Sequence, residues 1–158
     1  MLALSALALP AGAGGLDFSP RAVTACLEAG GGRDCIGASA EACMEATEGG
    51  YSTVVMNGCL AAEHEWWDAE LNARYGELQA RARRIDAQPQ PEGMPPRPSD
   101  AQALRDMQRA WIAFRDAGCQ YDALQWFGGT GASTAYLACQ MRMTGEQALT
   151  LRGLLGEG

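Results

Sequence analysis

Asp68-Ala69-Glu70-Leu71-Asn72-Ala73-Arg74-Tyr75 and Gln108-Arg109-Ala110-Trp111-Ile112-Ala113-Phe114-Arg115-Asp116-Ala117-Gly118-Cys119 are the two stretches on which the fold turns. Each sets polar residues among apolar ones at intervals of three and four, the repeat of one face of an α-helix. Between them, residues 88–98 hold five prolines and a glycine, which no helix interior tolerates. The reading is two helices folded back on each other as an antiparallel hairpin. Facing residues in such a pair have numbers that sum to a constant, here about 183 for a turn near Pro91 and Glu92. Tyr75 then faces Gln108, Asn72 faces Trp111, and Asp68 faces Arg115. The expectation is a Tyr–Gln hydrogen bond, an amide against an indole and a carboxylate–guanidinium pair, serving mainly to fix helix register.

Punctuation sets the flanking elements. Ser19-Pro20 starts a short helix that ends near Gly30, and Gly30 to Gly32 form a loop. Gly49-Gly50 closes a second short, irregular element. Ser52 or Thr53 caps a long helix to about Ile85, with Leu60, Trp67, Leu71, Leu78, Ala82 and Ile85 on its apolar face. Ser99 caps the next helix, whose apolar stripe reads Leu104, Met107, Trp111, Phe114, Gly118 and Tyr121. Gly128 to Gly131 make a loop, and Thr144 with Gln147 forms a capping box before a last helix to Leu155. No strand-like alternation and no internal repeat is present. The fold class is all-α: a disulfide-stapled antiparallel helical hairpin with short flanking helices.

The 158 residues amount to one domain's worth of core. A formal net charge of −7 argues against nucleic acid and anionic membrane surfaces as partners. All 12 basic residues are arginine, which excludes a Schiff-base or P-loop lysine. Asp34 to Glu70 carries carboxylates and no arginine, whereas Arg74, Arg81, Arg83 and Arg84 gather after it. The acidic stretch is either a solvated face or a docking face for a basic partner.

Residues 1–13 read as a signal-peptide-like segment: Met1 to Leu9 is apolar and Ala11-Gly12-Ala13 has the small-x-small form of a cleavage site, though a basic n-region is missing. Nothing else approaches the roughly 20 apolar residues that span a bilayer, so no membrane insertion is expected. Six cysteines, Cys26, Cys35, Cys43, Cys59, Cys119 and Cys139, fit three disulfides in an exported chain. Fifteen pairings are open, and pairing of sequence neighbours is the simplest. With no C-x-x-C pair and His64 as the single histidine, neither a metal site nor a cofactor is expected.

Catalytic readings are weak. His64 between Glu63, Glu65 and Asp68 has the makings of a general base, but Ser52 and Thr53 read as caps and the cysteines as oxidised, which leaves no nucleophile. Gly128-Gly129-Thr130-Gly131 lacks the preceding strand of a nucleotide-binding fingerprint. The chain reads as a binding protein and not as an enzyme.

Cys59, then Asp68, Leu71, Asn72 and Tyr75, a variable linker, then Gln108, Trp111, Phe114, Arg115, Asp116 and Cys119, a glycine loop, Cys139, Thr144 and Arg152 form one ordered pattern. In order and spacing it resembles the lysozyme inhibitor LprI-like family of small bacterial envelope proteins, over about Cys43 to Leu155. The resemblance divides the chain into a leader-like segment 1–13, a cysteine-containing extension 14–42 and a helical inhibitor-like domain 43–158. It implies a periplasmic or secreted protein that blocks a basic lysozyme by docking an acidic face, with Asp68, Leu71, Asn72, Tyr75, Gln108, Trp111, Phe114 and Arg115 serving mainly the scaffold. The candidate partner-binding residues are Trp66, Glu63, Glu65, Trp126 and Phe127. The alternative is an envelope structural or ligand-binding module that contacts another envelope protein.

Overall fold

Residues 15–156 are described by a computed structural model. The leader expected over residues 1–13 lies outside the described residues. Among those described, five α-helices and one 3-10 turn follow in order, with no strand: α1 (Arg21–Glu28), the turn Gly32–Cys35, α2 (Ala38–Ala46), α3 (Thr53–Asp86), α4 (Asp100–Leu124) and α5 (Gly131–Leu155).

Helix α3 matches its sequence pattern. Ser52 caps it by accepting from the Val55 amide at 3.4 Å, and Leu60, Trp67, Leu71, Leu78 and Ala82 are buried along one side. Ser99 caps α4 in the same way, accepting from Gln102 N at 3.1 Å. The proline run separates the two helices.

Two elements differ from expectation. Helix α5 begins at Gly131, not at Thr144, and runs 25 residues. Thr144 sits mid-helix and fully buried, and its hydroxyl accepts from Arg115 Nη1 at 3.4 Å. The capping-box spacing was coincidental, because residues 132–143 are themselves good helix formers with no breaker among them. In α4, the buried residues are Ala101, Gln108 and Cys119, while Met107, Phe114 and Tyr121 face outward. The small and polar side wins because it packs on the small and polar residues of α5: Gln147 Nε2 donates to Gln108 Oε1 at 3.0 Å, and Cys119 is bonded to Cys139.

These contacts fix the layout. Asn57 bonds Ser133 and Thr134, Trp67 meets Gly145, and Arg81 Nη1 donates to Leu154 O, so α5 runs parallel to α3. Helix α4 runs antiparallel to both. Gly145 lets α5 sit close: a Cβ there would lie 2.9 Å from Ile36 Cδ1 and 3.1 Å from Trp67 Cε2.

Side chains from other segments hold the helix starts. Ser39 Oγ accepts from Val23 N at 3.0 Å in the first turn of α1. Glu63, fully buried on α3, accepts from Gly37 N and Ala40 N at 2.6 Å each at the start of α2, and from Trp67 Nε1 at 2.9 Å. Asp86 accepts from Ser99 Oγ, Asp100 N and Ala101 N at the start of α4. The Ser99 hydroxyl and those two amides hold the Asp86 carboxyl below its usual range. The disulfides join sequence neighbours: Cys26–Cys35, Cys43–Cys59 and Cys119–Cys139.

Candidate functional site

Two surfaces carry the residues singled out in the sequence: the end of the bundle where α4 turns into α5, and the groove between α3 and α4.

The α4–α5 turn presents Trp126 and Phe127. Phe127 is 97 % exposed, and its φ of 47° makes it the one non-glycine residue with positive φ among the described residues. Trp126 lies over the backbone of Gly131, where a Cβ would collide with the six-membered ring of its indole, so the glycine seats the tryptophan. Behind this turn the Cys119–Cys139 bond ties the two helices together. The Asn57 contacts with Ser133 and Thr134 bring the start of α3 to the same end, with exposed Tyr51 and Val54. Leu124, Tyr121 and Phe114 extend the apolar surface along the outer side of α4. Tyr51, Val54 and Leu124 escaped the sequence reading because nothing local distinguishes an exposed apolar residue from a core one. Glu41, Glu45 and Glu48, spaced four and three apart, are exposed on and just after α2, whose C-terminal half is tied to the start of α3 by Cys43–Cys59.

The remaining candidate binders divide. Glu65 is exposed. Glu63 is not a surface residue: it is fully buried, with three protein donors on its two oxygens. Trp66 is not a free anchor either, because it is half-buried against the core and meets Trp67 edge-on at 4.7 Å between ring centroids.

The motif residues do converge. Asp68, Leu71, Asn72 and Tyr75 from α3, with Gln108, Trp111 and Arg115 from α4, line one open groove of about 390 Å³, together with Arg105, Arg109 and Ile112. Phe114 lies outside it, 68 % exposed. The expected cross-groove ladder is replaced by other partners. Asn72 Nδ2 donates to Asp68 at 2.9 Å, Gln79 Nε2 donates to Tyr75 Oη at 3.0 Å, and Gln108 accepts from Gln147. Arg115 pairs with Asp116 at 2.8 Å and stacks 5.0 Å from the Trp111 ring centre. The pairing sum brought the right residues to one groove, but their hydrogen bonds go elsewhere: Asp68, Asn72 and Tyr75 bond within α3, and Gln108 and Arg115 reach α5. Counting one turn around Gln108 would also have reached Arg105 and Arg109.

His64 lies near this groove. Burial, then the Arg115 charge, lowers its pKa against the opposing pull of Asp68, Glu65 and Asp116. Its Nε2 is buried without a hydrogen-bond partner among the described residues. No cluster of three metal-ligating side chains occurs among the described residues, and no described helix is long and apolar enough to cross a membrane.

The family profile described as lysozyme inhibitor LprI matches residues 43–151. The chain belongs to the LprI lysozyme-inhibitor family. The family match takes in the groove, the aromatic turn, and the Cys43–Cys59 and Cys119–Cys139 bonds. Among curated relatives, an uncharacterized 17.7 kDa protein from the puhA 5′ region of Rhodobacter capsulatus is 29 % identical over 120 residues, covering 74 % of this chain and 72 % of that protein. Escherichia coli YecT is 28 % identical over 102 residues, covering 62 % of this chain and 61 % of that protein. No solved structure matches the chain.

Proposed function

We propose that this LprI-family member is an exported binding protein that inhibits a basic lysozyme by seating its aromatic turn against the enzyme's substrate cleft. The observation that carries the reading is Phe127, almost wholly exposed at a positive φ on a turn tied down by Cys119–Cys139. A large apolar side chain held in a backbone conformation unfavourable to it suits an anchor for a partner's pocket. Tyr121, Leu124 and Trp126 supply apolar surface around it, and Glu41, Glu45 and Glu48 supply a negative field that speeds encounter with a cationic enzyme. Three disulfides support a periplasmic or secreted location. The proposed action is occlusion of the cleft, which needs no chemistry by the inhibitor itself.

The test is cell-wall lysis by hen-type lysozyme, titrated with the oxidised protein at low and at physiological salt. Inhibition is expected to weaken as salt rises, and Phe127→Ala is expected to weaken it about 30-fold or more, the loss typical of a central interface anchor. Full inhibition by Phe127→Ala, or none by the parent protein, would overturn the reading. The groove favours a second reading, a ligand-binding envelope module.

A further inference from the structure

We infer that the groove between α3 and α4 is a binding site for a small organic carboxylate, independent of any lysozyme contact. Its polar atoms are divided: Asp68 Oδ1 and Asn72 Oδ1 have no donor among the described residues at one end, and donors are in excess at the Tyr75 end. Three acceptors are engaged by the protein itself: Asp68 Oδ2 by Asn72, Tyr75 Oη by Gln79, and Gln108 Oε1 by Gln147. The donors beside them are left over. The Tyr75 hydroxyl proton and the Gln108 amide hydrogens have no acceptor among the described residues. Arg109 makes no hydrogen bond or ion pair among them, and Arg105 uses only Nη2, toward Gln102 Oε1 at 3.1 Å. Arg105 and Arg109 stand one helical turn apart on α4, flanking Gln108, with Tyr75 opposite on α3.

The two ends of the groove therefore differ. At the Asp68 end, Arg115 is already neutralised by Asp116 at 2.8 Å. The Tyr75 end offers two guanidinium groups, a phenol and an amide along one groove, all donors, and such a set suits a carboxylate. Between the ends, Leu71, Ile112 and the Trp111 ring, with Arg115 stacked on it, form a surface for a ring-sized body. A volume of about 390 Å³ is enough for such a ligand. Three arginines, Arg105, Arg109 and Arg115, line this groove on a chain of net charge −7.

The oxidised full chain, labelled with ¹⁵N, is titrated with benzoate and with glucuronate, and with benzamide and glucose as their uncharged counterparts. Saturable shifts of the Trp111 indole and Gln108 side-chain resonances by one or both acids, absent with the neutral pair, are expected. Whichever acid binds tells whether the body is aromatic or a sugar. The double variant Arg105→Gln/Arg109→Gln, which touches no core residue, is expected to bind about tenfold to a hundredfold more weakly at an unchanged melting temperature. Shifts from neither acid, equal shifts from a neutral counterpart, or undiminished binding by the double variant would each overturn the proposal. Lysozyme inhibition is expected to be the same with and without the bound acid.

Discussion

Replacing Glu63 by alanine removes the acceptor that three donors share, and its cost can be worked from their surroundings. Ala40 N and Trp67 Nε1 donate in a buried environment, and Gly37 N in a partly buried one. Leaving a buried donor unmade costs about 1–3 kcal/mol, and losing a helix cap about 1 kcal/mol. Taking the lower half of that range for the two buried donors, and less for the Gly37 amide that water can reach, gives about 4 kcal/mol. For a chain of this size each kcal/mol lowers the melting temperature by roughly 2–4 °C, so a fall of about 8–16 °C is expected. Glu63→Gln keeps one acceptor but turns an amide NH₂ toward a backbone N–H, and is expected to lose about half as much. Glu65→Gln, two residues on and exposed, is the control and is expected to stay within about 0.5 kcal/mol of the parent. Urea unfolding of the oxidised proteins, followed by far-ultraviolet circular dichroism, reads all three. A Glu63→Ala protein within about 1 kcal/mol of the parent would refute the argument that Glu63 is a cap and return it to the surface.

Three further outcomes follow from other contacts. Gly145→Ala forces a methyl against Ile36 and Trp67 and is expected to cost about 1–3 kcal/mol by the same unfolding measurement. Phe127→Gly removes a side chain from a positive-φ position, so it is expected to keep or raise the melting temperature while inhibition in the lysis assay is lost; a joint fall in both would speak for a structural role. Because burial and Arg115 lower the His64 pKa, the unfolded chain binds the proton more tightly than the folded one. That contribution is complete above the ordinary histidine value of 6.5 and is lost as pH falls from there through the folded value. His64→Gln is expected to flatten stability against pH over that window, seen as melting temperatures measured from pH 7.5 to about 5.

The parts of the molecule legible in the sequence are those governed by local rules. Ser52 and Ser99 cap the helices they precede, prolines break the chain where they fall, and the stripe from Leu60 to Ala82 is large, apolar and regular. The hairpin register also came through, because antiparallel pairing constrains many residues at once. What escaped depends on partners distant in sequence. Glu63 reads as a surface acid until the start of α2, more than twenty residues earlier, supplies its donors. Leu104 and Trp111 of the expected α4 stripe do pack on the core, but the fully buried residues are Ala101, Gln108 and Cys119, which no hydrophobic count would choose over Met107, Phe114 and Tyr121. Only the polar side of α5, with Gln147, makes the side of Gln108 the buried one. The aromatic turn was legible as a candidate, but the positive φ that makes Phe127 distinctive is a property of the backbone and leaves no mark in composition.

The borrowed caps have a bearing on how far the protein can be shortened. The family match begins at Cys43, in the middle of α2, yet Val23, Cys35 and Ala40 belong to the buried core, and Glu63 takes its donors from Gly37 and Ala40. A chain cut back to the region of family similarity would leave that acid facing empty space and uncover the Trp67 side of α3. Similarity in sequence ends here at a point where the buried core does not. The segment from Phe18 to Ala40 is part of the same core, whatever its ancestry.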